Sequence, residues 1–297
     1  MTQISNAPTL VSAWKAAQAR LKAQGIDSPS IDARLLLEAA TGASRMDILT
    51  DPYRLVTPEQ ASVLEGYVER RLKREPVSRI LGRKGFWKIM LNVTPDVLSP
   101  RPDTETILDI LMLVRARHEA FTLIDMGTGS GAILLAALSE RTAATGIGTD
   151  ISSEALAVAR ENAANLGMED RATFLRTEWG TGLADHSFDV VVSNPPYIPS
   201  SDIDTLDPEV RDHDPRLALD GGPDGLEAYR QIVPEIVRLL KPDGIFAVEI
   251  GFDQGEPVKA LFAEAGFSDL KIVKDLGDRH RVVTNGPDPR TNPIPKD

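Results

Sequence analysis

From Phe121 onward the chain alternates between short apolar runs and amphipathic segments, and this alternation restricts the fold more than any other feature. The runs FTLIDM, GIGTD, FDVVVSN and GIFAVEI are typical of buried strands, whereas GAILLAALSER and SSEALAVARENAANLG have helical periodicity. Strands that alternate with helices form right-handed βαβ units. The sequence therefore predicts an α/β fold over residues 106–285, with a doubly wound, mostly parallel sheet.

The first 85 residues show helical periodicity alone, with capping residues at the breaks between segments. Gly25 lies where a helix C-terminal glycine belongs, and Thr57, Pro58 and Gln60 follow the pattern of a capping box with proline at the first helical position. We therefore predict a small all-helical domain over residues 1–85. A basic run near its end is typical of a solvated helix face, and it consists of Arg70, Arg71, Lys73 and Arg74.

Three further segments differ from both patterns. Residues 86–105 contain short β-prone runs broken by prolines, which predicts a hairpin or an extended linker between the domains. Residues 286–297 are proline-rich and polar, and we expect a flexible tail there. The stretch from Tyr197 to Gly225 has little apolar periodicity and follows the most distinctive motif of the chain. We interpret it as part of a substrate wall, since long loops in compact domains are often functional.

Charge and composition argue against several classes of protein. The net charge of -11 disfavours a broad nucleic-acid-binding surface, which needs clustered Lys and Arg. The chain has no cysteine, and its four histidines are scattered, so we expect no metal site. No apolar run approaches membrane-spanning length, and MTQISNAPTL lacks the features of a secretion signal. We expect a cytoplasmic monomer with no membrane partner.

A glycine-rich turn follows the first strand of the α/β region, in the stretch DMGTGSGA. Gly127, Gly129 and Gly131 allow a tight turn and a close approach of the backbone to a ligand. Asp150 ends the next strand, where a carboxylate can accept hydrogen bonds from ribose hydroxyls. Together these features favour a nucleoside ligand over a plain turn followed by a helix N-cap at Asp150. The glycine spacing also satisfies the loose dinucleotide fingerprint, so it leaves NAD open.

Asp125 precedes the first glycine, and the resulting pattern Asp-x-Gly-x-Gly-x-Gly resembles the first motif of S-adenosylmethionine-dependent methyltransferases. Such an acidic residue can pair with the ammonium group of the methionine moiety, which NAD lacks. Thr128 and Ser130 belong to the same loop and are assigned to the cofactor with it. Trp179 follows the third strand and either packs on the adenine or serves as an ordinary core aromatic.

The fourth strand ends in Asn-Pro-Pro-Tyr. This stretch resembles the motif of methyltransferases that modify planar nitrogens. A delocalised lone pair makes such a nitrogen a poor nucleophile, so the site needs hydrogen-bond acceptors. The Asn194 side-chain oxygen and the Pro195 carbonyl can accept the two N–H bonds, while Pro195 and Pro196 stiffen the backbone. Tyr197 offers a flat ring for stacking. We assign catalysis to Asn194, Pro195 and Tyr197.

With these motifs, the chain resembles the protein-glutamine methyltransferases that act on peptide chain release factors. Further matching stretches are PRPDTE, ALDGGPDGLEAYR and VEIGFDQG. The resemblance implies a Rossmann-like methyltransferase domain behind a helical one, with S-adenosyl-L-methionine as cofactor and S-adenosyl-L-homocysteine as product. It implies methylation of the glutamine in the Gly-Gly-Gln motif, which modulates translation termination. The implied cofactor contacts are Gly127 to Gly131, Asp150, Trp179 and Asn194, and the implied substrate contacts are Asn194 to Tyr197, Arg101 and Glu105.

Three alternatives remain open on the sequence. A sister group that methylates a ribosomal protein shares Asn-Pro-Pro-Tyr, although the RPDTE stretch looks like the release-factor group. An adenine amino group of DNA or RNA fits the same acceptors, but the acidic balance and the compact helical domain disfavour it. A non-enzymatic nucleotide-binding module would leave Asn-Pro-Pro-Tyr unexplained.

Overall fold

The computed structural model describes residues 7–291 of the chain and divides it into two compact units. One unit consists of the chain up to Gly82 together with Pro208–His213, and the other of Arg83–Asp207 with the chain from Asp214 onward. The segment predicted as a linker, residues 86–105, thus belongs to the second unit. Of the predicted tail, residues 292–297 lie outside the described residues.

In the described part of the first unit, the segment up to Gly82 forms five helices around one apolar core, and Pro208–His213 adds a short sixth helix. The predicted capping box is confirmed, because the backbone N–H of Gln60 donates to Thr57 Oγ1 over 3.3 Å and Gln60 Oε1 accepts from the Thr57 N–H over 3.0 Å. Gly25 has φ +69°, which a side chain would disfavour. The helices are α1 Leu10–Ala23, α2 Pro29–Thr41, α3 Arg45–Thr50, α4 Pro58–Leu72 and α5 Val77–Leu81.

Arg71 departs from the solvated helix face predicted for the basic run. It is 7% exposed, and its Nε donates to Asp32 Oδ2 over 2.8 Å. Its Nη1 contacts Glu209 Oε1 at 3.0 Å, and Arg74 contacts the same oxygen at 3.2 Å. The prediction is therefore wrong for Arg71, which joins α2, α4 and the Pro208–His213 segment within the first unit.

The second unit contains a seven-stranded sheet in the order β5-β4-β3-β6-β7-β9-β8 and a separate hairpin of β1 and β2. β3 to β7 are parallel to one another, and β9 is antiparallel to both β7 and β8, which confirms a mostly parallel sheet. The strands are β1 Arg83–Phe86, β2 Ile89–Asn92, β3 Thr122–Met126, β4 Thr145–Asp150, β5 Ala172–Arg176, β6 Phe188–Ser193, β7 Leu240–Glu249, β8 Lys271–Lys274 and β9 His280–Thr284.

Helices cover both faces of this sheet. Leu123 of β3 packs in one apolar cluster with α6, α7 and α8, and the next residue, Ile124, packs in a second cluster with α10 and α11. This arrangement confirms the doubly wound prediction. The helices of this unit are α6 Glu105–Val114, α7 Ala132–Glu140, α8 Ser153–Asn165, α10 Glu227–Leu239 and α11 Gly255–Glu264, with 3₁₀ turns at Pro102–Thr104, Ile203–Thr205 and Arg216–Ala218. The short helix α9, Pro208–Arg211, belongs to the first unit.

Within residues 7–291, no helix combines the length and the apolar character needed to cross a membrane.

Candidate active site

A cavity of about 620 Å³ opens in the second unit where β3, β4 and β6 end. The carboxyl ends of parallel strands meet at one edge of a sheet, so residues far apart in sequence converge there. The cavity walls include most of the sequence-predicted cofactor residues, namely Gly127, Thr128, Gly129, Ser130, Asp150, Trp179 and Asn194.

The glycine turn after β3 uses the conformations that only glycine adopts readily. Gly127, Gly129 and Gly131 have φ of +73°, +53° and +81°. The N–H groups of Gly127 and Thr128 both donate to Thr149 O over 2.9 Å, which holds the turn against the end of β4. No atom lies within 4 Å of the place where a Gly129 Cβ would be, so the cavity side of the turn is open.

Asp150 supports this turn instead of capping the following helix. Its Oδ2 accepts from the Gly129 N–H and its Oδ1 from the Ser152 N–H, each over 3.0 Å. The N-cap of α8 is Ser152, whose hydroxyl accepts from the Ala155 N–H. Asp150 therefore lies on the cavity wall and also holds the backbone of Gly129 in place. The alternative of an N-cap at Asp150 is wrong.

Asp125 lies beneath the turn and not on the cavity wall. It is 1% exposed, and its Oδ2 accepts from the Thr128 hydroxyl over 2.7 Å. Burial raises the pKa of Asp125 to about 7, against the Thr128 hydrogen bond, which lowers it. Its Oδ1 is buried and has no hydrogen-bond partner among the described residues. Direct contact of Asp125 with a cofactor stays a prediction.

Trp179 closes the cavity above the glycine turn. Its Nε1 donates to Gln231 Oε1 on α10 over 2.8 Å, which fixes the orientation of the indole. A Cβ at Gly127 would lie 3.6 Å from Trp179 Cζ3, so ring and turn are in contact. The backbone of Trp179 has φ +51°, a conformation that few non-glycine residues adopt. The indole ring is thus held on the cavity wall, and Trp179 is not simply a core aromatic.

The Asn-Pro-Pro-Tyr motif begins directly after β6, and only its first and third residues line the cavity. The Asn194 Nδ2 donates to Thr104 Oγ1 over 3.3 Å. Pro195 is buried. Tyr197 does not line the cavity; its hydroxyl donates to Glu249 Oε1 over 3.2 Å, and its carbonyl accepts from Gln254 Nε2 over 2.9 Å.

The loop after the motif packs tightly against it. The Ile198 N–H donates to Leu219 O over 3.0 Å, and the Gly221 N–H donates to Ile198 O over 2.8 Å. A Cβ at Gly225 would lie 2.5 Å from Tyr197 O, so only glycine fits. The same loop adds Pro215, Leu217, Ala218, Asp220 and Gly222 to the cavity wall.

The two residues assigned to substrate from the RPDTE stretch lie in different places. Arg101 lines the cavity and donates to Asp214 Oδ2 over 2.5 Å. Glu105 is not part of the wall; its Oε1 accepts from the Trp87 N–H over 2.8 Å at the turn between β1 and β2. The structure therefore brings Arg101, and not Glu105, to the cavity.

Sequence reasoning missed four side chains that support the site: Thr104, Gln231, Glu249 and Gln254. Glu249 ends β7 just as Asp150 ends β4, so the rule applied to Asp150 could have found it. The amides of Gln231 and Gln254 leave no such signal, because Trp179 and Tyr197, which they bond at the site, are 52 and 57 residues away. In the part of the chain that the structure describes, no group of three or more His, Asp or Glu could hold a metal ion.

Known proteins and family models match most of the chain. A family model described as the PrmC N-terminal domain matches residues 12–82, and one described as a methyltransferase domain matches residues 117–264. The chain is 60% identical over 285 residues to the release factor glutamine methyltransferase of Caulobacter vibrioides, covering 96% of this chain and 99% of the relative. It is 45% identical over 273 residues to the release factor glutamine methyltransferase of Agrobacterium fabrum, covering 91% and 94%.

Among solved structures, the hMettl16 catalytic domain in complex with MAT2A 3'UTR hairpin 6 matches with a TM-score of 0.54. The two chains are 15% identical, and the match covers 76% of this chain and 80% of that chain. At this identity the likeness shows the methyltransferase fold alone.

Proposed function

This chain belongs to the release factor glutamine methyltransferase family, and from that premise we propose that it methylates the side-chain amide nitrogen of a release-factor glutamine, the one in Gly-Gly-Gln. The observation that carries the proposal is the position of Asn194. Its side chain lines the cavity beside the glycine turn, and its Nδ2 is already bonded to Thr104. The Asn194 Oδ1 is thereby left as an acceptor for a substrate N–H.

The residues of the motif would act by positioning. Asn194 Oδ1 would accept one N–H of the glutamine amide, and the carbonyl of the buried Pro195, which lies between the wall residues Asn194 and Pro196, would accept the other. The two bonds would help to localise the nitrogen lone pair. The bonds that hold Tyr197 and Ile198 to the neighbouring loop fix this backbone before substrate arrives. Arg101 on the wall is the charged side chain proposed to contact the substrate backbone. Preorganisation of this kind lowers the barrier without a strong base.

The cofactor proposed for the cavity is S-adenosylmethionine, which supplies an electrophilic methyl group when it is bound and leaves as S-adenosylhomocysteine. The donor set fits it: an open glycine turn, a carboxylate at Asp150 for ribose hydroxyls and the face of Trp179 for an aromatic base. Asp125 lies beneath the turn with its Oδ1 buried and unpartnered, and its contact with the ammonium group is part of the proposal.

Asp150→Ala is expected to weaken S-adenosylmethionine binding roughly ten- to hundredfold. Charge-assisted hydrogen bonds are worth about 1.5–3 kcal/mol each, and the variant also frees the Gly129 N–H. Calorimetric titration measures the dissociation constant, with Asp170→Ala, an exposed acidic position, as the matched control. An unchanged dissociation constant would limit Asp150 to support of the turn.

The helical unit is proposed to recognise the folded release factor. A lone glutamine side chain offers little contact area, so specificity has to come from the surface around it. In support, Ile31 and Leu49 are 55% and 63% exposed and line a depression of about 340 Å³ with Trp14. Exposed large apolar side chains around such a depression are typical of protein-binding surfaces.

Labelled methyl transfer tests the proposed function on four acceptors: an intact release factor, a short peptide with Gly-Gly-Gln, a purified large ribosomal subunit, and adenine-containing DNA or RNA. We expect rapid labelling of the intact factor, slow labelling of the peptide and none of the others. Preferential labelling of the nucleic acid or of a ribosomal protein would contradict the proposal. Labelling of the peptide as fast as that of the intact factor would contradict the role proposed for the helical unit.

A further inference from the structure

Glu249 is a buried carboxyl at the end of β7 that none of the sequence motifs explains. It is 1% exposed, and it lies behind the Asn-Pro-Pro-Tyr motif without lining the cavity. Its Oε1 accepts from the Tyr197 hydroxyl over 3.2 Å, and its Oε2 has no hydrogen-bond partner within residues 7–291. Burying an acidic group at such cost calls for a functional explanation.

Thr104 connects this carboxyl to Asn194. The Thr104 side chain is 4% exposed and interacts with Glu249, while its Oγ1 accepts from Asn194 Nδ2 over 3.3 Å. A threonine hydroxyl has a single proton to donate, whereas an ionised carboxylate can only accept. In a contact with an ionised Glu249 the Thr104 hydroxyl can therefore only be the donor, which leaves its oxygen to accept from Asn194.

The direction of this chain of hydrogen bonds decides which end of the Asn194 amide faces the cavity. With Thr104 as acceptor, Nδ2 points toward Thr104 and Oδ1 is left for a substrate N–H. A protonated Glu249 could donate to Thr104 instead, and the hydroxyl could then donate to Asn194 Oδ1. The amide would turn over and present N–H groups, which cannot accept hydrogen bonds from a substrate amide.

Tyr197 is held by the same carboxyl. Burial, with the nearby charge of Glu249, raises the pKa of the Tyr197 phenol well above its ordinary value, so the phenol keeps its proton and remains a donor. Its hydroxyl bond to Glu249 fixes the ring at the far end of the motif. Both ends of Asn-Pro-Pro-Tyr are thus tied to one side chain.

We propose that Glu249 is a positioning residue for methyl transfer, which as a carboxylate orients the Asn194 amide through Thr104 and the Tyr197 ring directly. This inference rests on the proposed function, since it specifies how that site is kept ready for an amide substrate. It assigns a role to the acidic residue of the VEIG stretch that no motif supplied.

The surroundings of Glu249 decide how its charge depends on pH. Burial raises its pKa to about 7, while Thr104, Arg281 on β9 and Tyr197 lower it and Asp103 raises it. Arg281 also contacts Asp275 at 3.1 Å and Asp103 at 3.4 Å, which offsets its charge. Tyr229 on α10 faces the same residue and donates to the Glu249 carbonyl over 2.9 Å.

This raised pKa also has a consequence for stability. In an unfolded chain the Glu249 carboxyl ionises near its ordinary pKa of 4.5, but in the fold it does so near 7. Its contribution to stability is fully present below about pH 4.5 and is lost as pH rises through about 7. Replacing the charge by a neutral side chain therefore stabilises the fold at and above neutral pH.

The test combines the rate, its pH profile and the stability of Glu249→Gln, measured on the full chain with an intact release factor. We expect kcat of the variant to fall roughly ten- to hundredfold, because it loses one charge-assisted hydrogen bond. The wild-type kcat should rise with pH through an apparent pKa of about 7, and the variant should lose this rise. Its S-adenosylmethionine affinity should be unchanged and its melting temperature at neutral pH should increase.

Two further variants separate positioning from general damage. Thr104→Val should lower kcat without additive loss in the double variant with Glu249→Gln, and Thr104→Ser should recover most of the rate. Glu140→Gln serves as the control, because Glu140 bonds Trp87 and Lys88 outside this network. A more stable Glu249→Gln enzyme with normal kcat and an unchanged pH profile would overturn the inference. Absence of transfer by the wild-type enzyme would instead refute the proposed function.

Discussion

Asn194→Ala is expected to lower the rate of methyl transfer by about a hundred- to thousandfold, or about 2.7–4 kcal/mol in the barrier. The Asn194 Oδ1 is the acceptor that the structure leaves on the cavity wall, because Nδ2 is bonded to Thr104. An interaction needed mainly in the transition state affects kcat more than binding. Single-turnover transfer to an intact release factor measures the effect.

The control for this variant is Asn165→Ala, which removes an exposed asparagine at the end of α8. It should leave the rate unchanged. Calorimetry should find S-adenosylmethionine binding by Asn194→Ala close to that of the wild type. Near-normal turnover in Asn194→Ala would contradict the proposal that Asn194 holds the substrate amide in the transition state.

Arg71→Ala is expected to destabilise the helical unit by about 3–5 kcal/mol. Arg71 is the buried partner of Asp32, which is itself 7% exposed, and of Glu209. Removing the guanidinium leaves an uncompensated buried carboxylate, and this costs far more than the ion pair itself contributes. Urea denaturation followed by circular dichroism measures the loss in the transition of the helical unit.

Arg70→Ala is the matched control, one residue earlier on α4. The side chain of Arg70 is 44% exposed and pairs with Glu75, so its removal should cost no more than about 1 kcal/mol. Equal destabilisation by the two variants would mean that the buried Arg71 ion pairs contribute no more to the free energy of unfolding than the exposed Arg70–Glu75 pair. A stable Arg71→Ala variant would contradict the structural role of Arg71 outright.

The sequence predicted what local patterns determine. The order of strands and helices followed from apolar runs and their period, and the convergence of Gly127, Asp150 and Asn194 followed from the rule that parallel strands end at one edge. The capping box at Thr57 followed from a pattern of four residues. These features depend on neighbours along the chain, so one sequence suffices to find them.

Features that depend on distant partners could not be predicted in this way. Arg71 belongs to a basic run that is typical of a solvated face, and its partners lie 39 and 138 residues away along the chain. Glu105 was assigned by resemblance to a motif, and no local pattern indicated the Trp87 N–H that it binds. Glu249 was visible as a strand end, but its link to Asn194 passes through Thr104 and needs the folded structure.

Transfer of labelled methyl from S-adenosylmethionine to an intact release factor, compared between the native Gly-Gly-Gln and a factor with alanine in place of the glutamine, tests the central claim most directly. In the proposed mechanism the acceptor is a planar amide nitrogen held by Asn194 and the Pro195 carbonyl. We therefore predict stoichiometric labelling of the native factor, mapped to that glutamine by mass spectrometry, and no labelling of the alanine factor. Equal labelling of both factors, or label on any other residue, would contradict the account.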